Sequence, residues 1–391
     1  MEAIPTTMLR ATLSHLASGD EARPTPHPTT APTPPTTLSA AQKSELYHQG
    51  VVVLRNAVAP HLVAAARERV AAAVAEDSNM HTNGLGQSPE ITALRTESSL
   101  NPILQDLIDG STGVWWCQPA IIPAPAEPAP ELTPVSRISR DLHLDGCNAA
   151  QLPDGSTVDF VDLEKTLTIK PHGAGFLFVA LSDQSELGCA QTHMLRRGHI
   201  AMEEFFNWQL EQFGSIGPPL SSGSEGWTLP GDRHFRRGPS TEIPTVVKRY
   251  FARAAGESSV IAEEGDRVPR ATPLLLRPGD AAISTFHQPH CGSPNDRGAD
   301  RQQMISRFIP HVLENIKCGN PNTDPQWAPR HDGSWFPVSP DECSEWRAHL
   351  TDCWHGWVGM REVAARERPK TERARAEMRR FFRAQWAENA A

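Results

Sequence analysis

The strongest constraint on this chain comes from two fragments far apart in sequence. They are His143-Leu144-Asp145 and His290-Cys291-Gly292-Ser293-Pro294-Asn295, the second followed by Arg301. If two imidazoles, one carboxylate and one guanidinium are to serve a single site, the fold must bring remote strands side by side. A strand projects alternate side chains to one face, so His143 and Asp145 lean the same way if Arg137 to Asp145 is extended. His290 then has to arrive from a distant strand. The residue types suit borderline Fe(II), which neutral imidazole and one carboxylate hold well. Three such ligands on one face leave three positions for a chelating 2-oxo acid and dioxygen. His143, Asp145 and His290 are therefore the expected ligands of Fe(II), with 2-oxoglutarate and O2 as co-substrates.

Arg301 has a separate expected role, because a planar fork of donors grips the far carboxylate of 2-oxoglutarate more specifically than lysine would. Arg301, Gln303, Ile305 and Arg307 fall on one face of a strand, so Arg307 is the second candidate for that carboxylate, or an ion-pair partner. His287 rivals His290 for the distal ligand position, and the Gly-x-Pro-Asn context favours His290. Asp141 and His172 read as partners in surface ion pairs or capped turns.

At these residues the chain resembles the phytanoyl-CoA dioxygenase-like family. Its pattern is an HxD, a second His shortly before a Gly and an Asn, and an Arg just after. Leu38 to Arg55 is similar to that family's opening helix and strand, and Arg277-Pro-Gly-Asp280 to the strand entry before the distal His. The likeness runs from Leu38 to about His311, interrupted by a long insertion. Where the family carries a Pro-Gly-Ser-His-like segment, Gly188 to His199 keeps only a trace of it. The resemblance implies a hydroxylase that converts 2-oxoglutarate to succinate while oxidising a C–H bond of a small lipid-like or secondary-metabolite substrate. Desaturation or ring closure would need the same residues. Asp145 disfavours halogenation, since related halogenases lack the carboxylate.

Residues 1–37 are expected to be a Pro/Thr-rich extended tail, because Arg23 to Thr37 cannot form helix or sheet. Ser39-x-x-Gln42 is a capping box that opens a helix stopped at Gly50, and a buried strand follows at Val51 to Leu54. Pro60 suits the first turn of an alanine-rich helix reaching about Ala75. Strands are expected at Arg137 to Leu144, Lys165 to Lys170, Phe176 to Ser182, Ser259 to Ala262, Pro273 to Leu276, Ala281 to Phe286 and Gln302 to Ile309. Many short strands with Gly and Pro punctuation, flanked by helices, predict a mostly β, α+β fold. Its core is expected to be a double-stranded β-helix, a cupin-like jelly roll, over about 38–317.

Within that domain an insertion at about 201–257 carries helices near Ala201 to Phe213 and Pro244 to Ala255. It is expected to lie over the pocket as a lid. Its loop offers Trp227, Arg236 and Arg237 as substrate contacts, against the plainer reading of a solvated basic surface. From 318 a tryptophan-rich extension ends in a basic helix near Thr371 to Trp386. The Met378, Phe382, Trp386 stripe of that helix is expected to pack on the core or on a second subunit, as a homodimer.

Composition narrows the partners. Lys and Arg total 37 against 46 acids, a net charge of -9, which disfavours nucleic acid and anionic membrane as partners. No apolar run approaches the roughly twenty residues of a bilayer helix. Seven cysteines without a C-x-x-C signal neither a zinc ribbon nor a redox pair, and suggest reduced thiols and a cytoplasmic location. A stretch around Leu9 and His15-Leu16 keeps a peroxisomal address as the alternative. The rival functional class is a non-catalytic jelly roll that binds a ligand or metal. A metal-dependent hydrolase is a third class, but leaves Arg301 without a role.

Overall fold

The computed structural model describes residues 35–76, 85–108, 114–145, 174–213, 216, 240–253, 258–297, 299–308 and 347–390. The expected tail to Thr37, strand 165–170, His172, the loop with Trp227, Arg236 and Arg237, and Trp327, Trp335 and Trp346 lie wholly or almost wholly outside them. The described chain is a mixture of helices and antiparallel sheet.

The N-terminal elements follow their local signals. Ser39 caps α1 (Ala40–Gln49) in a reciprocal box with Gln42, and Gly50 closes the helix at φ 76. Gly50 is needed twice over: a Cβ there would also collide with Gln288 Oε1 and the His199 ring. Strand β1 (Val51–Leu54) and helix α2 (Pro60–Glu76) come next, then α3 (Pro89–Thr96) and α4 (Leu100–Ile108).

Two five-stranded antiparallel sheets form the centre. The remaining elements are β2 (Val114–Ile122), α5 (Val135–Ile138), β3 (His143–Asp145), β4 (Gly175–Ala180), β5 (Thr192–Met194), α6 (Gly198–Phe213), β6 (Ser240–Glu242) and α7 (Thr245–Ala252). They continue with β7 (Ser259–Ile261), β8 (Arg267–Pro269), β9 (Thr272–Pro273), β10 (Ala281–Thr285), β11 (His290–Gly292), β12 (Arg301–Phe308) and α8 (Arg361–Ala390). One sheet has the order β1-β10-β4-β12-β2 and the other β6-β3-β11-β5-β9, while β7 and β8 form a separate pair. Along the chain β2, β4, β10 and β12 belong to the first sheet, and β3, β5, β9 and β11 to the second.

Side-chain alternation explains how the first sheet is sandwiched. Leu177, Val179, Ala281, Ile283, Met304 and Phe308 meet α1 to α4 in one apolar cluster, which also takes up Trp354 and Trp357. From the other face Phe176, Phe178, Ala180 and Ala282 join the cluster that contains Met194 and Leu144 of the second sheet. The His290 ring lies 5.3 Å from that of Phe176 and 6.3 Å from that of Phe178, so the sheets meet face to face.

Several expectations are corrected. Arg137 to Leu144 is not a strand: α5 and a 3-10 turn (Ser139–Asp141) fill it, and extended structure starts only at His143. Pro134 precedes the first helical residue, and Ser139 Oγ accepts from the Ala271 amide, which fixes the turn against the strand region behind it. Of the expected 273–276 strand only Pro273 lies in one, as the end of β9, and Leu276 makes an isolated bridge to Gln184. The C-terminal helix starts ten residues before Thr371 and runs through Pro369, which its packing tolerates.

The helices at both ends of the expected lid are core elements. Phe205, Phe206 and Trp208 of α6 and Val246, Val247 and Phe251 of α7 are buried, and Met378 and Phe382 of α8 pack in the same cluster. The apolar stripe of α8 is thus covered by the chain's own helices. Among the described residues no helix is long and apolar enough to cross a membrane. Cys117, Cys189, Cys291 and Cys353 are free thiols.

Candidate active site

His143 and His290 come together because β3 and β11 are antiparallel neighbours and these two residues are direct partners in the register. Directly opposed residues share a face, and their rings sit 4.9 Å apart between centroids. Each ring is oriented by the carbonyl two residues before it: His143 Nδ1 lies 2.7 Å from Asp141 O, and His290 Nδ1 3.1 Å from Gln288 O. A carbonyl can only accept, so each Nδ1 carries a proton, and Nε2 is the ring nitrogen a metal would use. Asp141 therefore serves through its backbone, not its carboxylate.

Asp145 is two residues beyond His143 on β3, at the strand position that shares its face, and its backbone pairs with Ser240. His287 is excluded as the distal candidate by its surroundings. It is fully buried, donates from Nε2 to Leu350 O at 2.9 Å, and packs on Phe206 and His349 away from the paired imidazoles. Asn295 has a structural task, tying the loop between β11 and β12 to Pro123 O and Ala299 O at 3.1 and 2.9 Å.

The facing sheet contributes a polar corner. Arg301, Gln303, Ile305 and Arg307 share one face of β12, as their spacing predicts. Arg301 is 5% exposed and reaches across the sandwich, donating to Thr192 Oγ1 at 2.8 Å and to Gln303 Oε1. Thr192 is paired with Gly292, two residues along β11 from His290. At about 3.3 Å per residue, the guanidinium's anchor is thus roughly 7 Å along the strand from the imidazole pair. No carboxylate bonds Arg301 among the described residues, and burial alone pulls its pKa down to about 10.

Two donors in that corner have no partner among the described residues: Arg301 Nε and Gln303 Nε2. A buried unsatisfied donor costs about 1–3 kcal/mol, so two of them beside an uncompensated cation mark a place built for an acceptor. Arg307 is buried as well; it donates to Gln118 Oε1 at 3.3 Å and lies over the Phe176 ring, 5.6 Å from its centroid. It lines the wall of the site.

This donor set suits a 2-oxo dicarboxylate and a hard-to-borderline divalent metal: two imidazoles at one end, an anion-seeking corner at the other, and Phe176, Phe178 and Met194 as apolar lining. Sequence reasoning did not find Thr192 or Met194. Their strand lies in the Gly188 to His199 segment, and Thr-His-Met is too short for periodicity to show.

No family model matches the chain, and no curated protein matches it. Among solved structures it is similar to HygX from Streptomyces hygroscopicus with nickel and 2-oxoglutarate bound, at 13% identity over 69% of this chain and 86% of that one, with a TM-score of 0.37. It is also similar to the non-heme alpha ketoglutarate dependent carbocyclase SnoK from nogalamycin biosynthesis, at 13% identity over 70% and 85%, TM-score 0.38. The epimerase SnoN from the same biosynthesis is 9% identical over 68% and 80%, TM-score 0.35. These likenesses are distant, and the functional reading rests on the chain's own residues.

Proposed function

We propose that this protein is an Fe(II)- and 2-oxoglutarate-dependent oxygenase that oxidises a C–H bond of a small molecule. The observation that carries the reading is the in-register pairing of His143 with His290, each donating from Nδ1 to a backbone carbonyl, across from a buried Arg301 that no carboxylate among the described residues neutralises. The two sheets, with successive strands exchanging between them, are read as the halves of a double-stranded β-helix.

His143, Asp145 and His290 would hold Fe(II), and Arg301 would hold the distal carboxylate of 2-oxoglutarate. When bound, metal, 2-oxoglutarate and O2 supply the oxidising chemistry, releasing succinate and carbon dioxide and leaving hydroxyl, unsaturation or a new ring on the substrate. The chain's own part is positional. Backbone carbonyls fix both imidazole rings, the Phe176, Phe178 and Met194 side chains keep water from the metal face, and Arg301 sets the direction in which the co-substrate enters. Trp227, Arg236 and Arg237 are assigned to the substrate side; unchanged substrate affinity in Arg236→Ala, Arg237→Ala would remove them from it.

Anaerobic titration with Fe(II) and 2-oxoglutarate tests the assignment without a known substrate. The chelate should give a visible charge-transfer band that disappears in His290→Ala. A well-folded wild type with no band would turn the reading toward a non-catalytic binding protein.

A further inference from the structure

We infer that Gln303 is a specificity-determining residue, which locks the Arg301 guanidinium and adds a second donor for the distal carboxylate, so that the site selects dicarboxylic over monocarboxylic 2-oxo acids. The inference rests on the co-substrate assignment above and adds a residue to it.

Arg301 has only donors, so the Gln303 atom that faces it must be the amide oxygen. That oxygen, Oε1, accepts from Arg301 Nη2 and also from Thr192 Oγ1 at 2.9 Å, while Thr192 Oγ1 accepts from Arg301 at 2.8 Å. The three side chains close a ring that spans both sheets. With Oε1 occupied twice, the Gln303 amide nitrogen is committed to the opposite side. It is buried without a partner, as is Arg301 Nε, and Gln303 itself is 1% exposed. Both orphan groups are donors, and nothing in the ring can accept from them. A carboxylate can, with two oxygens.

A second observation shows room for the occupant. Gly292 is paired with Thr192 and shares the face of His290, and a Cβ added to it would meet no atom of the described residues within 4 Å. Among the described residues, open space therefore lies over the strand between the imidazole pair and the ring of donors. An extended five-carbon diacid would run through it, its keto-acid end at the imidazoles and its far end on Arg301 and Gln303.

The test is calorimetry on the full-length protein loaded with Mn(II), which is redox-silent here. It is titrated with 2-oxoglutarate and with 2-oxopentanoate, which has a methyl group in place of the distal carboxylate. Wild type should prefer 2-oxoglutarate. Gln303→Glu puts a carboxylate against Arg301, so 2-oxoglutarate affinity should fall about 30-fold or more while 2-oxopentanoate binding stays within about threefold. Gln303→Met keeps the cation and removes only the lock and the amide donor; about a tenfold loss, again confined to 2-oxoglutarate, is expected, and this variant carries the test if Gln303→Glu does not fold. Unchanged selectivity in the folded variants would overturn the role of Gln303 and leave the co-substrate site standing. Wild type that binds Mn(II) but neither acid would overturn both.

Discussion

Two buried arginines in this protein have opposite surroundings. Arg375 on α8 is fully buried between Glu203 and Glu204 of α6, at 2.6 and 2.7 Å, and Arg368 and Arg379 reach the same two carboxylates. Their charge raises its pKa far above the ordinary value even though burial works against it. Among the described residues Arg301 has hydroxyl and amide partners only, and burial lowers its pKa to about 10. A folded chain that neutralises one buried cation so thoroughly has the means to neutralise another. The bare one is where a ligand would bring the charge.

The comparison predicts unequal consequences for removing each cation. Arg375→Met should cost about 3–5 kcal/mol, because Glu203 and Glu204 remain buried with their central partner gone; the denaturation midpoint should fall accordingly. Arg301→Leu should leave stability within about 1 kcal/mol of wild type, or raise it, since no buried carboxylate is stranded. A large loss there would mean that Arg301 is a structural residue like Arg375.

Acid should act on the α6–α8 side. His199 and His287 are buried and held down to about 3 against an ordinary value of 6.5, and His349 is shifted the same way by burial. Between those values the unfolded chain takes up protons that the folded chain does not. Stability is therefore complete above about pH 6.5 and is lost progressively as pH falls toward 3. Urea midpoints measured across that range check the sign. The smallest effect is expected on the exposed rim of α8, where Arg383 pairs with Glu211 at 2.6 Å. Arg383→Ala should change stability by no more than about 0.5 kcal/mol.

How much of this could be read from sequence depends on the element. The capping box at Ser39, the Gly50 stop and strands β1, β4, β10 and β12 were legible because each carries a local signal or an apolar run. The paired imidazoles and the inward face of β12 were legible from alternation and order. Strand β2 was missed because Pro119 argues against a strand, and it is tolerated only because β2 is the outer edge of its sheet. The segment before His143 looked extended but folds into helical turns, since residues there are held by contacts to β11 and the Ala271 region that no local pattern announces. Thr192 and Gln303 had no motif at all. Their importance comes from the hydrogen bonds that join them to Arg301 across two sheets.

The most direct test of the account is the 2-oxoglutarate titration of Fe(II)-loaded protein without oxygen, run side by side on wild type and Arg301→Leu. The account predicts a charge-transfer band in both, with about 100-fold more 2-oxoglutarate needed to form it in the variant. Equal midpoints would contradict the assignment of the uncompensated arginine, and no band in folded wild type would contradict the metal and co-substrate site as a whole.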